Sequence, residues 1–379
     1  MAVLTDIAGV LRARQEAGAR ITRIVVLTPL AGGADGISEM TRQWTRAIAA
    51  ATRGTAVTID VWSLGDDASA AAVLPPGARL RTAAGRQLVY STFGLRHVLD
   101  PAGTLVIAMH VHLAPVALPL VVRGARLLVV LNGIEAWKPL TTLESLAVRR
   151  AASVVAISHH TLERFRAANG ACDDLPVSVC HPAVAWHAVA SDAAGPAGPY
   201  ALIVGRMVAA ERYKGHDALI EVWPRVRAAC PDARLVVVGD GDDRGRLEAK
   251  AASLCPEGVV FEGRVSTGRL DALYRGAACF AMPSTHEGFG LVYAEAMARG
   301  VPCIACPGAA EEIVAHGTEG FIVPPGDVPA LTSALVALLS DGGLRARMAD
   351  AAGRRAARDF SERALRDRVA QFVGLAGAA

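Results

Sequence analysis

PSTHEGFGLVYAEAMARG, residues Pro283–Gly300, is the stretch on which the fold and the chemistry of this chain turn. An apolar run, Ala277–Met282, leads into it and reads as a buried strand. A small polar turn follows, Pro283-Ser284-Thr285. His286-Glu287-Gly288-Phe289-Gly290 then opens a helical pattern, Leu291–Arg299, that stops at Gly300. A helix start leaves N–H groups unpaired and carries a partial positive charge, so it attracts an anion such as a phosphate. Gly288 and Gly290 let the backbone come close to a ligand. Glu287 and Glu295 stand eight residues apart, one in the loop and one inside the helix. A carboxylate beside an anion site needs a ligand of its own. Sugar hydroxyls are the natural candidate, and an acid/base pair is the other reading.

Outward from this stretch, the same strand–turn–helix unit recurs. Upstream, Arg23–Thr28 (RIVVLT) is the first β-branched run. PLAGGADGIS follows it, with a helix expected from Ser38 to about Thr52 and Ser38-Glu39 as its start. Ala56–Trp62, Leu105–Met109, Leu127–Leu131 and Val154–Ile157 read as further strands. The Ala/Gly/Pro-rich segment Trp186–Pro199 breaks the rhythm and reads as a linker. Alternation restarts with strands at Ala201–Val204, Leu235–Val238, Val259–Phe261, Ala278–Met282, Pro302–Ala305 and Phe321–Val323, with helices between them, one of them near Ala310. Helices at Ala330–Leu339, Leu344–Arg358 and Glu362–Phe372 close the chain. Strands alternating with helices predict an α/β protein of two Rossmann-like, doubly wound domains. The expected boundaries are 1–190, 191–360, and a last helix, 361–379, packing back toward the first domain. A length of 379 residues agrees with more than one core.

Composition narrows the function. The chain is 52% hydrophobic and 20% charged, as a packed globule is, and its net charge of +3 is too small to argue for nucleic acid. The charge is uneven: residues 1–190 carry 18 Lys+Arg against 13 Asp+Glu, or +5, and the remainder −2. A basic first half suits an anionic lipid surface or a phosphorylated acceptor, or is simply a solvated Arg-rich face. Seven cysteines, an odd number in apolar runs, read as reduced buried thiols of a cytoplasmic protein. Cys303-Ile-Ala-Cys306 is a CxxC by letter count but lies in a strand-like run with no second pair or His cluster. Charges at Asp6, Arg12, Arg14 and Glu16 argue against a signal peptide, and Leu4, Ile7, Val10 and Leu11 trace an amphipathic helix. The uncharged run 101–122 holds Pro115 and Pro119, and reads as a strand and helix in preference to a membrane span.

Other strand ends of the second half carry polar turns. Gly205-Arg206-Met207 and Arg212-Tyr213-Lys214-Gly215-His216-Asp217 flank one turn with cations. Arg206 and Lys214 there suit a diphosphate, the first by its fork and the second as a point charge; two surface cations are the plainer reading. The backbone of Arg264 and Val265 can read a nucleobase or form an ordinary turn. Asp240 and Asp242, without the rest of a calcium loop, are read as caps in preference to metal ligands. No dinucleotide GxGxxG fingerprint is present.

Taken in order and spacing, GRM…RYKGHDALIEVWPRV, VGDGDDRGRLE, FEGRV, LYRGAACFAMPSTHEGFGLVYAEAMARGVPCIA and GFIVPPGD resemble glycosyltransferase family four, of the GT-B fold. The resemblance is close from Ala201 to about Ser340 and fainter over residues 23–180. It implies two Rossmann-like domains facing across a cleft, an acceptor-binding first and a nucleotide-sugar-binding second. It implies a retaining, metal-independent hexosyltransferase with no cofactor beyond a GDP- or UDP-linked donor sugar, such as GDP-mannose or a UDP-hexose. The acceptor would be a saccharide or lipid-linked saccharide, or else a small natural product; a sugar-nucleotide-binding protein without turnover is the other class. By position, Arg206 and Lys214 would hold the diphosphate, and Glu287 the donor sugar. Gly288, Phe289, Gly290 and Leu291 would line the phosphate and sugar, Glu295 would hold the ribose, and Val265 the base. In the first half, His112 or its neighbour His110 would stand near the transferred sugar, and Gly33 and Gly36 belong to a Gly-rich loop in which Asp35 replaces a glycine. Asn132 replaces a histidine in Asn132-Gly133-Ile134-Glu135, and Ser158 caps a helix. The expected location is cytoplasmic or peripheral on the inner face of a membrane, through the first domain.

Overall fold

The computed structural model describes residues 21–33, 35–94, 98–99, 101–172, 175–184, 196 and 198–373. The chain divides into two compact units. One is built from the described residues up to Ala183 together with the helix Glu362–Phe372, the other from Val184 to Ser361. The amphipathic start and most of the Trp186–Pro199 segment lie outside the described residues.

The first unit holds a seven-stranded parallel sheet. Its strands are β1 (Arg23–Thr28), β2 (Thr58–Ser63), β3 (Ala78–Thr82), β4 (Thr104–Ala108), β5 (Arg126–Leu131), β6 (Ser153–Ala156) and β7 (Val177–Val179), in the order β3-β2-β1-β4-β5-β6-β7. The central strands are buried on both faces, which is why they read as continuous apolar runs. The helix after β1 spans Gly36–Ala51. It begins two residues before the expected Ser38 because Asp35 takes the capping position, accepting from the Ile37 and Ser38 amides at 2.9 and 3.0 Å. The helix Glu362–Phe372 lies on it, with Trp44 and Phe372 stacked at 6.4 Å and Leu365 and Val369 buried.

The second unit holds a six-stranded parallel sheet. Its strands are β8 (Tyr200–Val204), β9 (Arg234–Val238), β10 (Val259–Gly263), β11 (Cys279–Met282), β12 (Cys303–Ala305) and β13 (Gly320–Ile322), in the order β10-β9-β8-β11-β12-β13. The helices His216–Ala229, Arg244–Leu254, Thr267–Gly276, Leu291–Ala298, Val328–Ser340 and Gly342–Asp359 follow the strands. The segment expected as a helix near Ala310 is a single 3₁₀ turn, Ala309–Glu312.

Both sheets reverse their strand order at one place, between β1 and β4 and between β8 and β11. Diverging loops leave a crevice at the carboxyl ends of such strands, which is where open α/β sheets bind ligands. Among the described residues no helix is long and apolar enough to cross a membrane, so the run 101–122 is strand and short helix. The seven cysteines are free; six are buried and Cys230 is half-buried.

Candidate functional site

In the second unit the loops after β8 and β11 meet at the switch point. The loop after β8 is anchored to the one after β9: Met207 N donates to Asp240 O at 3.0 Å, Asp243 N to Met207 O at 2.9 Å, and Ala209 N to Asp242 Oδ1 at 2.8 Å. Asp242 therefore tethers a neighbouring loop and is not a helix cap. Gly239 is required here: its φ is 133°, and a Cβ would lie 1.9 Å from Gly205 O. Asp243 accepts from Arg212 at 3.0 and 3.2 Å and from Arg246 at 2.5 and 2.8 Å, and Arg246 also forks onto Asp217. Arg246, with Lys250 beside it, holds the Asp217 carboxyl down at about 2.

That anchored loop delivers Lys214 to Glu287. Lys214 Nζ donates to Glu287 Oε1 at 3.0 Å, and Ser284 Oγ donates to the same oxygen at 3.0 Å. The two side chains are only 15% and 16% exposed. Thr285 N donates to Tyr213 O at 3.1 Å, joining the two loops by backbone. Gly290 (φ 96°) turns the chain into the helix Leu291–Ala298; a Cβ there would lie 2.6 Å from the Tyr293 ring. Phe289 is buried against Phe360, so what it turns toward the loop is backbone. Glu295 accepts from the Tyr274 hydroxyl at 3.0 Å. Arg206 is the exposed member, with its guanidinium 70% exposed and paired to Glu211 at 2.5 Å. Gly263 O, at the end of β10, accepts from Gly239 N in the loop after β9 at 2.9 Å, and the half-buried Val265 follows two residues on. The sequence thus places Arg206, Lys214, Val265, Gly288, Gly290, Leu291 and Glu287 on neighbouring strand ends of one sheet, and Lys214 and Glu287 are in contact.

In the first unit, Gly32, Gly33 and Gly36 follow β1, and His110 and His112 follow β4, its neighbour. The Gly-rich loop is clasped from both sides. Asp66 accepts from Ala31 N at 2.5 Å and Gly32 N at 3.0 Å, while Arg42 donates to Ala31 O at 2.6 Å and Gly33 O at 2.7 Å. His110 is half-buried, and this desolvation together with His112 pushes its imidazole down to about 4. His112 lies outward, its Nδ1 2.6 Å from Glu144 Oε1. Asn132 donates its amide nitrogen Nδ2 to Met109 O at 2.6 Å, bracing the loop that carries both histidines. Ser158 caps its helix by accepting from Thr161 N at 2.9 Å. Asp66, Arg42, Glu144 and Asp243 were not singled out from the sequence. Among the described residues no group of three His, Cys, Asp or Glu could hold a metal ion.

Residues 198–341 match the family described as Glycosyl transferases group 1. They form a glycosyl transferases group 1 domain. Over 149 residues the chain is 41% identical to a Corynebacterium glutamicum GDP-mannose-dependent monoacylated alpha-(1-6)-phosphatidylinositol monomannoside mannosyltransferase, covering 37% of this chain and 38% of that one. It is 38% identical over 152 residues to a Mycobacterium leprae phosphatidyl-myo-inositol mannosyltransferase, covering 40% of each. The chain thus spans about two-fifths of the length of the curated relatives it matches. The crystal structure of Anabaena HepE in complex with UDP and glucose aligns with a TM-score of 0.71 at 21% identity, over 93% of this chain and 99% of that one. This likeness shows a shared fold, and the two parallel-sheet units are those of the GT-B class. Within the group 1 domain lie Arg206, Lys214, Val265, Glu287 and Glu295; His110 and His112 lie before it.

Proposed function

We propose that the chain is a glycosyltransferase that moves a hexose from a nucleotide diphosphosugar to a hydroxyl of a saccharide or lipid-linked saccharide. The observation that carries this is the Lys214–Glu287 contact beside the Gly290 helix start, at the β8/β11 switch point. An ammonium and the N–H groups of a helix start suit a diphosphate, and a carboxylate beside them suits sugar hydroxyls. Lys214 neutralises the departing nucleotide, and Arg206 joins it by exchanging Glu211 for a phosphate oxygen. Glu287 holds the donor sugar, Glu295 the ribose and Val265 the base. Stabilising a leaving group in this way is worth about 2.7–4 kcal/mol per well-placed donor. Transfer retains the anomeric configuration and uses no metal: the leaving phosphate oxygen takes the acceptor's proton, so no carboxylate pair exchanges protons. GDP-mannose is the first donor to test, because two relatives are mannosyltransferases, one of them named GDP-mannose-dependent. Their phosphatidylinositol-based names favour a lipid-linked acceptor.

The experiment is thermal stabilisation by GDP, UDP and ADP and their sugars, followed by transfer with and without EDTA and NMR of the product's anomeric proton. A ligand present at 100 times its Kd stabilises by about 2.7 kcal/mol. No stabilisation by any nucleoside diphosphate would sink the proposal. Binding without transfer to any acceptor would favour a sugar-nucleotide-binding protein.

A further inference from the structure

Glu144 is the third residue of the helix Thr142–Arg149 and closes a capping box with Thr141. Its Oε2 accepts from Thr141 N at 2.8 Å, and Thr141 Oγ1 accepts from Glu144 N at 3.4 Å. That accounts for one carboxylate oxygen. The other, Oε1, lies 2.6 Å from His112 Nδ1, which the cap does not require. The Glu144 side chain is 11% exposed, whereas that of His112 is 54% exposed. The imidazole is thus tethered at its Nδ1 side, and more than half of its surface is open to solvent.

We propose that Glu144 is a positioning residue: its carboxylate fixes the His112 proton on Nδ1 and presents Nε2 as the acceptor for a substrate hydroxyl. The inference rests on the transferase reading above and deepens it. Burial pushes the Glu144 carboxyl up, but hydrogen bonds from the Thr141 amide and hydroxyl and from His112 outweigh it and hold it below the usual range. An ionised carboxylate can only accept, so the short contact needs the proton on Nδ1. A neutral imidazole carries one N–H, and its other nitrogen then offers a lone pair. The neighbouring groups leave this intact. The His110 ring, 4.7 Å away, is neutral near pH 7, and its Nδ1 accepts from His112 N at 3.3 Å. Glu135, pushed up by burial, is engaged by Asn132 N at 2.6 Å. A lone pair on an exposed ring nitrogen after β4, at the β1/β4 switch point, suits a sugar or cyclitol hydroxyl of the donor or the acceptor.

The test is ¹⁵N NMR of histidine-labelled protein at pH 7.5, with His112 assigned through His112→Gln, together with kinetics of Glu144→Gln. Glutamine still serves a capping box through its one oxygen, so the helix start is kept while the group facing His112 Nδ1 changes from an accepting carboxylate oxygen to a donating amide NH2. The wild type should show a protonated Nδ1 and a pyridine-type Nε2. Glu144→Gln should move the proton toward Nε2, melt with the wild type, and raise KM about tenfold for the substrate that donates the hydroxyl, the loss expected for one charge-assisted hydrogen bond. A rise in the acceptor's KM places the hydroxyl there; a rise in the donor's KM places it on the donor. A protonated Nε2 in the wild type overturns the proposal. So does an unchanged tautomer in Glu144→Gln, or both KM values staying within about twofold of wild type. If the wild type transfers no sugar, the transferase reading fails, and the wild-type tautomer still decides the role of Glu144.

Discussion

Lys214→Met separates the stabilising part of the Lys214–Glu287 pair from its chemical part. It leaves the Glu287 carboxylate, 16% exposed, with Ser284 Oγ as the remaining donor to Oε1. An uncompensated, largely buried acceptor costs about 1–3 kcal/mol, below the 3–5 kcal/mol of a fully buried pair because one-sixth of the group meets water. In a unit of this size that lowers Tm by about 2–4 °C per kcal/mol, so a fall of about 2–12 °C is expected by differential scanning fluorimetry at pH 7. Glu287→Gln should cost a similar amount, by leaving the ammonium uncompensated. The double variant Lys214→Met/Glu287→Gln removes both charges, and should be more stable than the sum of the single losses by about 1–3 kcal/mol. Activity should behave differently. A missing cation at the diphosphate cannot be restored by removing Glu287, so turnover should fall by about 10²–10³-fold in Lys214→Met and stay down in the double variant. Additive stability losses would show that the two groups do not compensate each other. Turnover of Lys214→Met within about tenfold of wild type would refute the leaving-group role.

Three further outcomes follow from named contacts. Asp217, held at about 2 against an ordinary 3.8, adds stability that is complete above about pH 4 and is lost as the pH falls through about 2; Asp217→Asn should therefore be less stable than wild type at pH 7, with the gap closing by about pH 2 in an acid titration followed by circular dichroism. Asp35→Ala removes the acceptor of the Ile37 and Ser38 amides and should cost the first unit about 1–2 kcal/mol in urea unfolding. Gly290→Ala puts a Cβ against the Tyr293 ring at a φ of 96° and should cost about 1–3 kcal/mol while abolishing stabilisation by nucleoside diphosphates; full retention of that stabilisation would place the phosphate elsewhere.

The fold was legible where burial is two-sided. β1 matches the run RIVVLT to the residue, because a central parallel strand buries both faces and must be apolar throughout. The two edge strands of the first sheet did not show. β3 reads ARLRT, with Arg79 and Arg81 alternating through it, because an edge strand pairs on one side and tolerates charge; Arg81 lies over the Phe93 ring at 4.0 Å, so its stem packs while its charge rides on an aromatic face. β7, at the opposite edge, is three residues long, too short to set a period. The start of the helix Gly36–Ala51 was misplaced for a related reason: Ser38 and Asp35 both suit a cap, and only the backbone shows that the aspartate takes it.

The placement of the candidate residues at sheet edges was legible in the sequence, and their contacts were not. Strand–turn–helix alternation identifies which residues end up at the carboxyl edge of a sheet, and this is why Arg206, Lys214 and Glu287 stand out. It does not say which strands are neighbours. In a sheet ordered as the chain runs, β8 and β11 would be three spacings apart, about 14 Å, and a lysine and a glutamate on their loops would not meet. The observed order puts β11 directly beside β8, and the contact is 3.0 Å. Glu144 and His112, 32 residues apart in the chain, are hidden for a different reason, because β4 and β5 before them are neighbours in chain order as well as in the sheet. TTLES has the form of a capping box and so explains one carboxylate oxygen locally; the second oxygen finds its partner on the 3₁₀ segment Val111–Ala117 after β4, which packs on the helix Thr142–Arg149. A polar side chain that serves both a local cap and a distant ring exposes only the first role to a linear reading. Carboxylates already accounted for by a local motif, with one oxygen left over, are therefore where packing between elements adds chemistry that sequence alone conceals.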